Sequence, residues 1–261
     1  MAYSSHLYKP KPAKDQKLSG ITVNPGAIIQ SFTQSQGSMQ LLYGGRPIFQ
    51  LALLMAMKEL EQGRPVVVID GANRFDTHFM IELARQFNLD PDEIMRNIFI
   101  SRSFTCYQME ATINRQLLPF LQKTNAGKAI VLGLLDTFYD DQAPMHEVRQ
   151  ILERVSATFR ELQGNGYSFF LACEHYDVRP EERNRLLARL KTKADKIYYA
   201  AFDEPTHQSL YYLEQKPYQL LRKEHTYGQN HPHIYRSHPA GTEEMDKVPL
   251  RLEEGRPAGI R

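Results

Sequence analysis

Residues 37–57 read GSMQLLYGGRPIFQLALLMAM, and this stretch decides the fold. Met39–Tyr43 is a short apolar run. Gly44-Gly45 makes a turn, and from Pro47 an apolar segment continues over several helical turns. Residues 65–75, PVVVIDGANRF, then supply a second buried strand ending in Asp70. A strand, a glycine turn and a helix together present backbone N–H groups to an anion. A working phosphate loop has the form G-x-x-x-x-G-K-[ST], in which the lysine neutralises phosphate charge and the hydroxyl holds magnesium. Here Ile48 and Phe49 stand where lysine and Ser/Thr belong, and Pro47 has no N–H to donate. Gly44, Gly45, Arg46 and Asp70 are therefore the candidate residues of a degenerate nucleotide site. The alternative is a plain strand-to-helix turn with a solvated arginine and a structural carboxylate.

Strands and helices alternate outward from this segment. Met39–Tyr43, Val66–Asp70, Ile98–Arg102, Ala129–Leu135 and Tyr167–Cys173 read as buried parallel strands. Met145, Val148, Ile151, Leu152, Val155, Phe159 and Leu162 form a helical stripe that Gly164-Asn165-Gly166 ends. Asp90-Pro91-Asp92-Glu93 is a helix start, and Asp76 is placed to cap another helix. Lys196–Phe202 and Ser209–Leu213 read as an antiparallel extension, with Pro217–Lys223 as a third strand. The pattern predicts an α/β fold with a mostly parallel central sheet flanked by helices. Its core domain spans 21–224. It lies between a flexible basic N-terminal tail (1–20) and a flexible His/Pro-rich C-terminal tail (225–261). Ligands in such sheets bind at the carboxyl ends of strands.

The bulk numbers exclude some classes. The 261 residues are 42% hydrophobic and 24% charged, with a net charge of +2, so nucleic-acid binding has to come from a local patch. No apolar run approaches the roughly 20 residues that span a bilayer, so no membrane partner is expected. The opening MAYSSHLYKPKPAKDQK has lysines but no apolar core, and the two cysteines, Cys106 and Cys173, lie in apolar stretches. These features predict an intracellular, cytoplasmic protein, nucleoid-associated if it binds DNA.

Residues 179–196, RPEERNRLLARLKTKADK, carry seven Lys/Arg against three Asp/Glu. Leu186, Leu187, Leu190 and Ala194 make one helical face. Arg185, Arg189, Lys193 and Lys196 make another, and with Arg183 they are the candidate phosphate contacts for DNA. A solvated helix face explains the same spacing. Asp136, Asp140 and Asp141 follow a strand and suit a hard cation, but they equally suit a polar loop before the next helix. His225, His231, His233 and His238 are irregularly spaced and read as tail composition, not as a zinc site.

From Gly37 to about Lys223 the chain resembles the RecA-like recombinase core, a P-loop NTPase fold, on its archaeal and eukaryotic branch. GSMQLLYG is similar to the strand entering that family's Walker A loop. VVVIDGANRF is similar to the strand carrying its catalytic glutamate. FNLDPDEIMRNIFISRSFTCYQ is similar to the stretch after the next helix. AIVLGLLDTFYDD falls on the Walker B strand and FFLACEH on the sensor strand. The departures bear on activity. Walker A has no lysine, Ala72 stands at the glutamate position, Gly133 or Leu134 at the Walker B aspartate, and Glu174 at the sensor glutamine. The family polymerises through a Phe-x-x-Ala motif, of which Phe32-Thr33-Gln34-Ser35 is a loose echo.

The resemblance implies a non-catalytic relative supporting DNA recombination or repair. It would bind DNA, a recombinase or other repair protein, or itself, and it needs no cofactor. The alternatives are an ATP- and magnesium-using enzyme with a rebuilt phosphate loop, and an interaction scaffold that binds neither DNA nor nucleotide.

Overall fold

In a computed structural model, the residues described are 20–45, 47–140, 142–175, 178, 180–203 and 208–214. All fall in the first of the two units into which the chain divides, Met1–Leu220 and Leu221–Arg261. The histidine-rich segment and the strand expected at Pro217–Lys223 lie outside the described residues.

The strands are β1 (Gly20–Val23), β2 (Met39–Gly44), β3 (Val66–Asp70), β4 (Ile98–Arg102), β5 (Lys128–Leu132), β6 (Ser168–Glu174), β7 (Lys196–Asp203) and β8 (Gln208–Glu214). They form one eight-stranded sheet in the order β1-β8-β7-β2-β6-β5-β3-β4. The segment from β7 to β4 is parallel, and β8 and β1 extend it antiparallel. The helices are α1 (Pro25–Thr33), α2 (Pro47–Glu61), α3 (Thr77–Gln86), α4 (Pro91–Arg96), α5 (Cys106–Ala111), α6 (Leu117–Thr124), α7 (Met145–Gly164) and α8 (Arg185–Lys193).

The central strands are buried on both faces, which is why they read as continuous apolar runs. Alternate residues separate two cores. Leu41, Tyr43, Val67, Ile69, Val131 and Leu171 pack under α5–α8. Leu42, Val66, Val68, Ile130, Leu132 and Ala172 pack under α1–α4. The expected strand Ala129–Leu135 ends instead at Leu132. Gly133 takes a φ of +67°, and the apolar Leu134 and Leu135 enter a short 3-10 turn, Leu135–Phe138. Asn24-Pro25 starts a helix in a region given no element by periodicity: Asn24 Oδ1 accepts from Gly26 N at 2.7 Å and Pro25 begins α1. Phe32, the echo of a polymerisation motif, is fully buried on that helix, its ring centroid 5.4 Å from that of Phe170.

Two polar ties hold the sheet's surroundings. The buried Tyr43 hydroxyl donates to Glu214, and Lys191 lies 3.1 Å from the same carboxylate and 3.7 Å above the Tyr43 ring. This joins β2, β8 and α8. At the amino end, the Glu59 carboxylate is only 1% exposed and pairs with Arg64 at 2.6 Å and Lys128 at 2.9 Å. Lys128 also donates to the Thr33 carbonyl. One carboxylate thus links the end of α2, the start of β5 and the end of α1.

Removing one member of a buried pair strands its partner's charge. Glu59→Ala is expected to lower the unfolding free energy by about 3–5 kcal/mol in urea titrations. Glu59→Leu combined with Lys128→Met is expected to recover most of the loss.

Candidate functional site

The chain leaves β2 for α2 on one face of the sheet, and leaves its neighbour β6 for α8 on the other. The neighbours β3 and β5 diverge in the same way, to α3 and α7. Such divergence opens a crevice at the carboxyl ends of strands, where α/β sheets bind ligands. Gly44, Gly45, Asp70, Gly133 and Glu174 all sit on this edge.

The glycine turn uses its polar groups on neighbouring strands. Gly44 has a φ of +144°, and a Cβ there would lie 2.1 Å from the Ala200 carbonyl oxygen. The Gly44 carbonyl accepts from His175 N at 2.8 Å, Gly45 N donates to Ala200 O at 3.4 Å, and the Gly45 carbonyl accepts from Ile48 N at 3.2 Å. Gly44 is thus required by close packing against β7, and the Gly45 N–H that a phosphate nest needs faces a carbonyl. Arg46 lies outside the described residues.

Asp70 is 1% exposed. Its Oδ1 accepts from Arg74 N at 2.9 Å and Ala72 N at 3.3 Å, and its Oδ2 from Phe75 N at 2.9 Å. Arg102 approaches Oδ2 at 4.0 Å. A short carboxylate accepting amides two to five residues ahead closes a tight loop. Asn73 takes the left-handed conformation this loop requires, with φ of +53°. The carboxylate is turned onto its own chain.

The loop then packs against the loop after β5. A Cβ on Gly71 would be 2.7 Å from Gly133 O, and one on Gly133 would be 2.2 Å from the Ala72 Cβ. Arg74 crosses from β3 to β6, where its Nη2 pairs with Glu174 Oε2 at 3.2 Å and its guanidinium lies 5.4 Å from the Phe49 ring centroid. No sequence spacing singled out Arg74; Asp70 positions it by fixing the turn. Asp140 accepts from Gln142 N at 3.0 Å, Asp136 lies in the 3-10 turn, and Asp141 is outside the described residues. Among the described residues, no group of His, Cys, Asp and Glu is arranged to hold a metal.

The basic segment divides on inspection. Arg183 is a correction: it is 2% exposed and donates from Nη1 to Phe138 O and from Nη2 to Ala143 O, both at 2.6 Å. It secures the loop after β5 from inside and does not face solvent. Lys196 is a second correction. It begins β7, at the amino end of the sheet, and donates to Ser31 Oγ at 2.6 Å. Extended backbone at Ala194 ends the helix, so the last step of the sequence stripe leaves the shared face. Arg189 and Lys193 both pair with Glu153 of α7, at 3.7 and 2.8 Å. Arg185 is exposed at the start of α8 and makes no ion pair among the described residues.

The fold is that of an α/β protein with a mostly parallel sheet, and at this edge the described part of the loop after β3 packs against the loop after β5. No protein-family model matches the chain, and no curated protein matches it. No helix among the described residues is long and apolar enough to cross a membrane.

Cys173 ends a buried run beside this crevice. Burial first, and then the Asp136 carboxylate, push its thiol up to about 12, and burial also raises Cys106. The thiolate is the reactive form. Both cysteines are therefore expected to resist iodoacetamide at pH 8 in the folded protein and to react once urea unfolds it. A folded-state value above the ordinary 9.0 also means that the Cys173 contribution to stability is fully present below that pH and is lost between it and about 12. Native-state labelling at the rate of a free thiol would contradict both points.

Proposed function

We propose that this chain is a non-catalytic RecA-like protein on a P-loop NTPase fold, and that it supports DNA recombination or repair by binding DNA and partner proteins. The observation that carries the reading is the closed carboxyl edge. Asp70 accepts its own loop's amides, the Gly45 N–H faces Ala200, and Arg74 pairs with Glu174 across the place where a nucleotide would lie. Phosphoryl transfer needs positioned cations and a water-orienting group acting together. The residues present do not fit a magnesium triphosphate: Pro47 offers no N–H, and Ile48 and Phe49 are buried apolar side chains. The parallel order β7-β2-β6-β5-β3-β4, with a glycine turn leading from a central strand straight into a buried helix, supports the RecA-like assignment.

For DNA, the surface narrows to Arg185 with the outer parts of Arg189 and Lys193. A second reading, an interaction scaffold without DNA binding, is favoured by Glu153. It neutralises two of the three cations left on that face.

Titration with labelled ATP and magnesium, and with single-stranded DNA at two salt concentrations, tests the proposal. The expected result is no ATP binding at millimolar nucleotide and salt-dependent DNA binding. Arg185→Glu is expected to weaken that binding and reduce the salt slope by about 1. Lys196→Glu, at the opposite end of the sheet, is expected to leave it unchanged. Saturable ATP binding would overturn the non-catalytic assignment. Absence of DNA binding with a stable partner complex would transfer the role to the scaffold reading.

A further inference from the structure

A cleft of about 380 Å³ lies between the β3–β4 edge of the sheet and residues 112–123. That volume falls within the range of roughly 300–1,000 Å³ typical of small-molecule sites. Val67 and Ile69 from β3 and Leu117 from α6 form its buried floor, and Ile100, Pro119 and Phe120 are its accessible apolar lining. Its lining includes Arg115 and Lys123, both exposed. No carboxylate lines it, and neither cation makes an ion pair among the described residues. Two arginines of the neighbouring α7 differ: Arg154 is paired with Glu110 and Arg149 with Glu182.

The local sequence explains the opening. Residues Thr112–Gln116 form a π-helical turn between α5 and α6. Pro119 follows in a helix that continues from this turn. It has no N–H, and in a regular α-helix its ring would clash with the carbonyl of residue 115. Widening to a π-turn relieves that clash. β4 is the last strand of the sheet, so among the described residues no further strand lies beyond it.

We propose that this cleft binds a small amphipathic anion, with an alkyl or aryl body against Ile100, Pro119 and Phe120 and its carboxylate at the rim that carries Arg115 and Lys123. The apolar walls gain from excluding water. The carboxylate gains charge-assisted hydrogen bonds from cations that no protein group already holds. A cationic or neutral ligand of the same length has no such partner at the rim. The site is separate from the carboxyl edge and stands or falls independently of the function proposed above.

Calorimetric titration of the full chain with decanoate, decylammonium and decanol tests this. Decanoate is expected to bind at one site per chain and decylammonium not to bind. Arg115→Glu with Lys123→Glu is expected to weaken decanoate about tenfold or more, as the loss of a charge-assisted hydrogen bond requires. Ser101→Phe places a ring in the cleft from β4 and is expected to abolish binding, with circular dichroism confirming that both variants fold. No binding of decanoate by the parent protein, equal binding of decylammonium, or undiminished decanoate affinity in either variant would each overturn the proposal.

Discussion

A side chain has no room on Gly71 or Gly133, where the loop after β3 meets the loop after β5, and the rest of the carboxyl edge follows from that constraint. Gly133, in a left-handed conformation, carries its backbone against Ala72, and Gly71 lies against the Gly133 carbonyl. With alanine at position 72, the loop closes, Asp70 collects the amides of residues 72, 74 and 75, and Arg74 is delivered to Glu174. The steric condition comes first, and the electrostatics complete it. A buried carboxylate with three amide donors and an arginine nearby has its polar demands met internally. It offers little to an incoming ligand.

The four central parallel strands β2, β3, β5 and β6 were legible because each is buried on both faces and therefore leaves a dense apolar run, whereas the edge strand β4 left a shorter β-branched and aromatic run. The run around Ala129–Leu135 misled at its end. Apolar character continues through Leu134 and Leu135, but the strand stops where Gly133 adopts a positive φ. Hydrophobicity reports burial, not backbone geometry, so a buried 3-10 turn reads like two more strand residues. α1 left only the Asn-Pro start signal, and β1 is a four-residue strand with an exposed Ile21 and no alternation to detect. The π-turn has no apolar period of its own.

Site residues were legible as types but not as orientations. Helical spacing placed Arg185, Arg189, Lys193 and Lys196 on one stripe, but spacing cannot show where the helix ends. α8 ends at Lys193, so Lys196 belongs to the opposite end of the sheet. Arg183 shows the converse. An arginine among charged neighbours reads as solvated, yet its planar fork matches two converging carbonyls, those of Phe138 and Ala143, in the interior. Glu59 and Lys128 are far apart in sequence and pair at 2.9 Å, a contact that no local pattern encodes.

The availability of each cation separates the surfaces that can recruit an anion from those that cannot. An anion approaching Arg189 or Lys193 competes with Glu153, which is already in place and loses little entropy by staying there. Arg74 is held between Glu174 and the Phe49 ring, and using it elsewhere would leave the buried Glu174 without that partner. Exposed surface pairs cost little to exchange, whereas breaking a buried one costs several kcal/mol, on the order of 3–5. Arg185, Arg115 and Lys123 carry neither cost, and all three lie in the α5–α8 layer of the sheet. Among the described residues, the cations free of both costs therefore lie in that layer, whereas the carboxyl edge is where a parallel α/β sheet places its ligands by default.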